Sequence, residues 1–133
     1  MKVVAAILIY NKKVLAFRRP YEKNKPQISL KYEFPGGKIE NNETEIIALK
    51  RELKEELELN IYDFKKYYNT IHNYTEYEVD ISFYISYLEN LSFKLNFHSK
   101  YKIMNVKDLK KLDWLEADYE IIDYIQTNGF HNS

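Results

Sequence analysis

Gly37-Lys38-Ile39-Glu40-Asn41-Asn42-Glu43, followed after seven residues by Arg51-Glu52-Leu53-Lys54-Glu55-Glu56, is the stretch whose reading decides the fold. At 3.6 residues per turn Glu52 lies beside Glu55 and Glu56, so three carboxylates share one helical face, with Ile46, Leu49, Leu53 and Leu57 as the adjoining apolar stripe. A face that acidic needs neutralising. A hard divalent cation with oxygen ligands does this, and Mg²⁺ held by a few carboxylates is commonly completed by substrate phosphates. An ordinary solvated face with weak i,i+4 pairs would not explain why Phe34-Pro35-Gly36-Gly37 leads into the helix. Two glycines beside a helix start permit close backbone approach to a ligand.

The spacing resembles the box of the Nudix hydrolase family. Gly37, Glu43, Arg51, Glu52, Leu53, Glu55, Glu56 and Leu59 match its pattern, and Glu58 stands where the family has glycine. Matches at the fixed Gly, Glu and Arg sites together would arise by chance on the order of once in 100,000 chains of this length. The resemblance implies the Nudix fold, an α/β architecture with a mixed β-sheet sandwiched between helices. It also implies that the box acids bind divalent metal, with Gly37, Glu52, Glu55 and Glu56 as the metal-binding set, Mg²⁺ as the ion and Mn²⁺ as a substitute.

Composition fits one small domain, residues 1–133, with 45% apolar content and no cysteine, so neither a redox centre nor a thiolate metal site is available. Twenty basic and twenty acidic residues cancel, which argues against a nucleic-acid surface. Val3 to Tyr10 is apolar but too short to span a bilayer and lacks a small-residue cleavage site, so it reads as a buried strand of a cytoplasmic protein. Monomer and homodimer both remain open.

Along the chain, Lys2–Tyr10 and Val14–Arg18 flank a short turn and pair antiparallel. Arg19 to Leu30, with two prolines, is a loop of functional length, and Phe34 to Asn42 is a second loop. Thr44 caps a helix running to about Leu57. Tyr62–His72, Tyr77–Tyr87 and Leu91–Phe97 read as strands, the middle one placing Val79, Ile81, Phe83 and Ile85 on one face. Lys107–Leu112 is a short helical turn, and Ala117–Gln126 a closing helix with Ile121, Ile122 and Ile125 inward. A glycine in place of Glu58 would suit a left-handed helix end; the expectation here is that the helix runs on and Asn60 takes that conformation.

Hydrolysis of a phosphoanhydride requires charge neutralisation, a deprotonated water and in-line placement, all within reach of metal on a carboxylate cluster. The catalytic candidates are Glu43, Arg51, Glu52, Glu55 and Glu56, with Arg51 expected to hold the acids through a bidentate pair with Glu43. Tyr32 to Glu40 is also similar to the MutT-type nucleoside triphosphate pyrophosphohydrolases, and Leu112 to Asp118 to their CTP pyrophosphohydrolase relatives. By that similarity Arg19 contacts the nucleotide, Tyr32 and Phe34 line the base or sugar pocket, and Asp118 reads the base edge. The plainer alternatives are a loop arginine, core aromatics and a first-turn helix acid. Such enzymes often carry a further glutamate in the loop after the strand ending near Phe97; here Asn96 to Lys100 has no acid, leaving the box or His98 as base, unless His98 is simply a surface imidazole.

The expected reaction is cleavage of a nucleoside triphosphate to monophosphate and pyrophosphate. The similarity of Asp113-Trp114 and Ala117-Asp118 to the CTP pyrophosphohydrolases favours CTP, dCTP or a 5-modified cytidine nucleotide over an oxidised guanine nucleotide, and an ionised Asp118, which only accepts hydrogen bonds, would prefer cytosine with its amino donor to uracil. An ADP-ribose or dinucleotide pyrophosphatase is the enzymatic runner-up. The rival of another class is a non-catalytic nucleotide-binding sensor domain; such domains usually lose box acids, and this chain keeps them.

Overall fold

In the computed structural model, which describes residues 1–130, the apolar run near the N-terminus is the central strand β1 (Lys2–Tyr10), with Val4 through Ile9 buried. A strand apolar at successive positions must be covered on both faces. Val4, Ala6 and Leu8 face one core, with Leu15 and Phe17 of β2 (Lys13–Arg18). Ala5, Ile7 and Ile9 face the other, with Val14 and Ala16. The first core is closed by Ala48, Leu49, Leu53 and Leu57 of α1 (Glu45–Leu57) and the second by Ile121, Ile122 and Ile125 of α2 (Tyr119–Asn128). The result is the expected mixed sheet between helices.

β1 meets β2 through Asn11 and Lys12, both at positive φ (53° and 69°), a two-residue turn whose twist suits a hairpin. On its other side β1 pairs in parallel with β6 (Glu78–Tyr87), which is antiparallel to β5 (Lys65–Asn73). β6 buries Val79, Ile81, Phe83 and Ile85 together, as its alternation requires. Thr44 caps α1, its hydroxyl accepting from Ile47 N at 3.2 Å. Among the described residues no helix is long and apolar enough to cross a membrane.

Three sequence expectations are corrected. The loop expected over Phe34–Asn42 contains a short strand, β4 (Gly36–Lys38), antiparallel to β1, after β3 (Tyr32–Glu33) on the edge of β2. A Cβ on Gly36 would stand 2.0 Å from the Val4 carbonyl oxygen, so this approach admits only glycine. Leu91–Phe97 is not a strand. Its alternating Leu91, Phe93 and Leu95 pack against the α1 side, while Lys94 N and Asn96 N donate to the carbonyls of Leu57 and Glu56. The segment satisfies the helix C-terminus instead of a sheet edge. The strand lies just beyond it, β7 (Lys100–Met104), antiparallel to β2.

The third correction concerns the end of α1. Glu58, not Asn60, is left-handed (φ 55°, ψ 37°), and its N–H donates to Lys54 O at 3.0 Å. Its carboxylate accepts from Asn96 Nδ2 at 3.0 Å, which recovers part of the conformational cost. Glu58→Gly should therefore stabilise the fold by ~1 kcal/mol or somewhat less, raising the melting midpoint by about 3–6 °C in thermal unfolding. A lowered midpoint would mean that the Asn96 contact outweighs the backbone strain.

Candidate active site

Arg51 is the hub. Its Nε and Nη2 donate to the two oxygens of Glu43 at 2.7 and 2.9 Å, the bidentate pair expected from the spacing. Nη2 also donates to Lys38 O at 3.1 Å, and Nη1 to Glu52 at 3.0 Å and Glu55 at 3.3 Å. One guanidinium thus ties together the loop before α1, the end of β4 and the acidic helical face. Beside it the Glu43 carboxyl is held down at about 2, with the Glu40 N–H adding a 2.9 Å bond.

Glu52 turns toward β4. A Cβ on Gly37 would come within 2.4 Å of Glu52 Oε2, so Gly37 is there to admit a carboxylate against the strand. Glu56 lies deeper. The Gly36 N–H donates to it and its carboxyl also bonds to that of Glu52, yet its Oε1 is buried with no partner among the described residues. Burial first, then the charges of Glu33 and Glu52, push the Glu56 carboxyl up to about 9. Burial likewise raises Glu52, against the pull of Arg51. Glu55 does not join them: its side chain is 61% exposed and bonded to Arg51. Hence among the described residues no three acidic or imidazole side chains stand assembled as a metal centre. The donor set nevertheless fits a hard divalent cation, since all its ligands are oxygen and the unpartnered Glu56 Oε1 needs a positive charge in place of its proton.

One residue of the site, Glu33, has no role in the sequence reading, and the setting of another, His98, differs from its plainer alternative. Glu33, between the buried Tyr32 and Phe34, points by strand alternation to the α1 side, where its charge reaches Glu56. That alternation was the available signal: one acid between two core aromatics, just before the glycines. His98, far from being a surface imidazole, is buried, with Nε2 2.8 Å from Glu33 Oε2. Arg19 Nη1 donates to Glu33 at 3.2 Å, Nη2 to Glu22 at 3.1 Å, and the guanidinium lies 5.2 Å from the Phe97 ring centroid. These contacts raise the Arg19 pKa in spite of burial.

Beyond Glu33 a cleft of ≈ 390 Å³ is lined by Arg19, Phe34, Gly36, Gly37, Lys38 and, at its far side, Leu115, Ala117 and Asp118. Arg19, Phe34 and Asp118 thus reach one cavity. Tyr32 does not line it, contrary to expectation: its ring is buried 6.3 Å from that of Trp114, and its backbone bonds to Asp113 and Leu115. Asp118 is not a capping acid, for its side chain caps nothing at the start of α2. Burial, with the field of Glu33 behind it, raises its carboxyl well above the usual range, so the pocket favours the uncharged acid. A larger groove of ≈ 800 Å³, sharing Ile28, Tyr74, Tyr77 and Leu115 with this cleft, holds none of the box residues.

The chain belongs to the NUDIX domain family, whose pattern matches residues 1–125. Over 54 residues it is 37% identical to an 8-oxo-dGTP diphosphatase of Proteus vulgaris, a span covering 41% of this chain and only 48% of that relative. Among solved structures it is similar to the E. coli ORF135 protein, with a TM-score of 0.81 at 20% identity over 99% of this chain and 94% of that one. The MutT protein of Methanosarcina mazei Go1 gives a TM-score of 0.79 at 21% identity, over 96% and 92%. At such identities the likeness is one of fold.

Glu56 supplies a pH test. Folded and metal-free, it keeps its proton up to about pH 9, whereas in the unfolded chain it releases it near 4.5. The folded state therefore binds more protons between these values, and metal-free stability should fall as pH rises through that window. Urea midpoints in chelator at pH 6 and pH 8.5 should show this decline, and Glu56→Gln should flatten it. An equal decline in the variant would place the titration elsewhere.

Proposed function

We propose that the protein is a Mg²⁺-dependent hydrolase that cleaves a nucleoside triphosphate to the monophosphate and pyrophosphate, with Mn²⁺ able to substitute. The observation that supports this reading is the junction of two features: the Arg51-held carboxylate cluster packs against Gly37 and Lys38, and these residues line a cleft that the buried Asp118 also lines. A triphosphate laid against the cluster would bring its base to Asp118. Glu52 and Glu56, with Glu55 once released from Arg51, would hold the metal. The ion supplies charge neutralisation at the phosphates and lowers the pKa of bound water.

The chain's own residues do the remaining work. Arg51 keeps Glu43, Glu52 and the Lys38 backbone in register, so the acids need not reorganise as phosphate charge arrives. Gly36 and Gly37 keep the strand beside the cluster free of side chains. Arg19, already at the cleft, can exchange from Glu22 and Glu33 to an anionic or ribose oxygen. Glu56→Gln should lower kcat by ~100-fold or more, since it removes a charged ligand or the base, while the variant stays folded with a metal-free thermal midpoint no lower than that of the wild type. Near-normal pyrophosphate release from the folded variant would exclude Glu56 from the chemistry.

The base assignment shifts with Asp118. An uncharged carboxyl both donates and accepts, so it pairs with the N3 and N4 edge of cytosine and equally with the O6 and N1 edge of guanine. The cytidine expectation also leaned on Asp113 and Trp114. Asp113 is ion-paired to Lys31 outside the cleft, and Trp114 is core, its Nε1 donating to Leu109 O. The likeness to the Proteus vulgaris 8-oxo-dGTP diphosphatase favours the guanine edge as the second reading.

A panel of natural and oxidised nucleoside triphosphates with Mg²⁺, scored for pyrophosphate against inorganic phosphate, tests the reaction. Binding without turnover across the panel would instead support a sensor domain. Asp118→Ala should cut kcat/KM for the preferred nucleotide by roughly ten-fold or more, whereas Asp118→Asn, which keeps one donor and one acceptor, should stay within about three-fold of the wild type. Equal losses in the two variants would show that the ionised carboxylate reads the base.

A further inference from the structure

Arg19 Nε, Glu56 Oε1 and His98 Nδ1 are buried side-chain atoms without a partner among the described residues, and Glu33 bonds to two of the side chains that carry them and acts by its charge on the third. Arg19 and His98 bond to Glu33 directly, and the charge of Glu33 acts on Glu56 and, across the cleft, on Asp118. Glu33 lines the cleft beyond the reach of Arg51. Among the described residues its carboxylate is bonded by Arg19 and His98, and its orientation depends on these two.

These two holders differ in kind. Arg19 sits on the long loop, lines the cleft and divides its donors between Glu22 and Glu33, so its contact is open to exchange. His98 is pinned. Its side chain is 0% exposed, with its ring 5.4 Å from that of Phe17 and 4.9 Å from that of Phe97. On one side Asn96 N donates to Glu56 O, and on the other Ser99 N donates to Arg18 O at 2.8 Å, strapping the segment between the last turn of α1 and the end of β2. Facing a carboxylate, Nε2 must be the protonated nitrogen.

From this arrangement we infer that His98 is a positioning residue: it fixes the Glu33 carboxylate between the metal-binding acids and the base pocket when Arg19 turns to the substrate. The inference rests on the proposed nucleotide site, and it gives His98 no contact with the nucleotide, because Glu33 stands in between. It also accounts for a buried imidazole whose second nitrogen makes no bond. A ring kept for stability alone would gain nothing from that orphan over an apolar side chain of its size.

The test uses side-chain reach. Glutamine at 98 places its amide nitrogen near the position of Nε2 and can still donate to Glu33; asparagine places it near Nδ1 and cannot. Steady-state pyrophosphate release with Mg²⁺ should show His98→Gln within about three-fold of the wild type and His98→Asn reduced on the order of 10-fold, as for other residues that orient an active-site group. The double variant Glu33→Gln/His98→Asn should lose no more than Glu33→Gln alone, because a positioning residue has nothing left to position. Additive losses, or equal activity of the Gln and Asn variants, overturn the role, with thermal midpoints checking that each variant is folded. If the wild type cleaves no triphosphate, the reading of the reaction fails separately. Calorimetric affinity for an α,β-methylene nucleoside triphosphate then decides the positioning role across the same variants, with Gln again expected above Asn.

Discussion

The guanidinium of Arg51 is the constraint on which the site depends. It is planar, permanently charged and able to direct five N–H groups in fixed directions, and four acceptors from three parts of the chain take them up. A lysine would supply the charge without the fork. Without that fork, the loop carrying Glu43 and the strand carrying Gly36 and Gly37 would have no shared reference to the helix carrying Glu52 and Glu56.

What the hub cannot do is neutralise everything near it. Glu33 acts on both Glu56 and Asp118, and Glu52 on Glu56, while Arg51 bonds to Glu52 and Arg19 to Glu33. Burial then decides protonation by depth. Glu43, paired with Arg51, is ionised to about 2, and Glu56, deeper and facing other acids, holds its proton to about 9. That spread is the electrostatic signature of a pocket built to receive positive charge along with an anionic substrate.

Legibility in the sequence followed distance along the chain. The acidic helical face, the Thr44 cap, the Arg51–Glu43 pair and the inward face of β6 all arise from local periodicity or short spacing, and the sequence shows them directly. The β7 strand and the bond between Glu33 and His98 depend on partners dozens of residues away, which neither propensity nor spacing displays, although alternation marks Glu33 as an acid between two core aromatics. Leu91–Phe97 misleads for a related reason: alternation reports an extended chain with one covered face, and says nothing about whether a helix or a sheet does the covering. At Glu58 a local rule was overridden, since a tertiary contact from Asn96 helps hold a residue with a side chain where glycine is the usual choice. Asp118 was legible as a position but not as a chemical state, because its protonation is set by burial that only the folded chain creates.

The parallel pairing of β1 with β6, in register from Lys2↔Asp80 to Ile9↔Tyr87, has a consequence for how the chain reaches this state. The innermost strand finds its central partner only after about eighty residues have left the ribosome. The whole acidic segment from Gly37 to Glu56 is synthesised before that partner exists. During this interval β1 is an apolar strand with one long side unpaired, and α1 lacks the β6 hydroxyls of Ser82 and Tyr84 that bond to Glu45. Closure of one long loop then creates the core and the site together. Completion of the candidate site is in this sense a late event in the life of the nascent chain, set by topology alone.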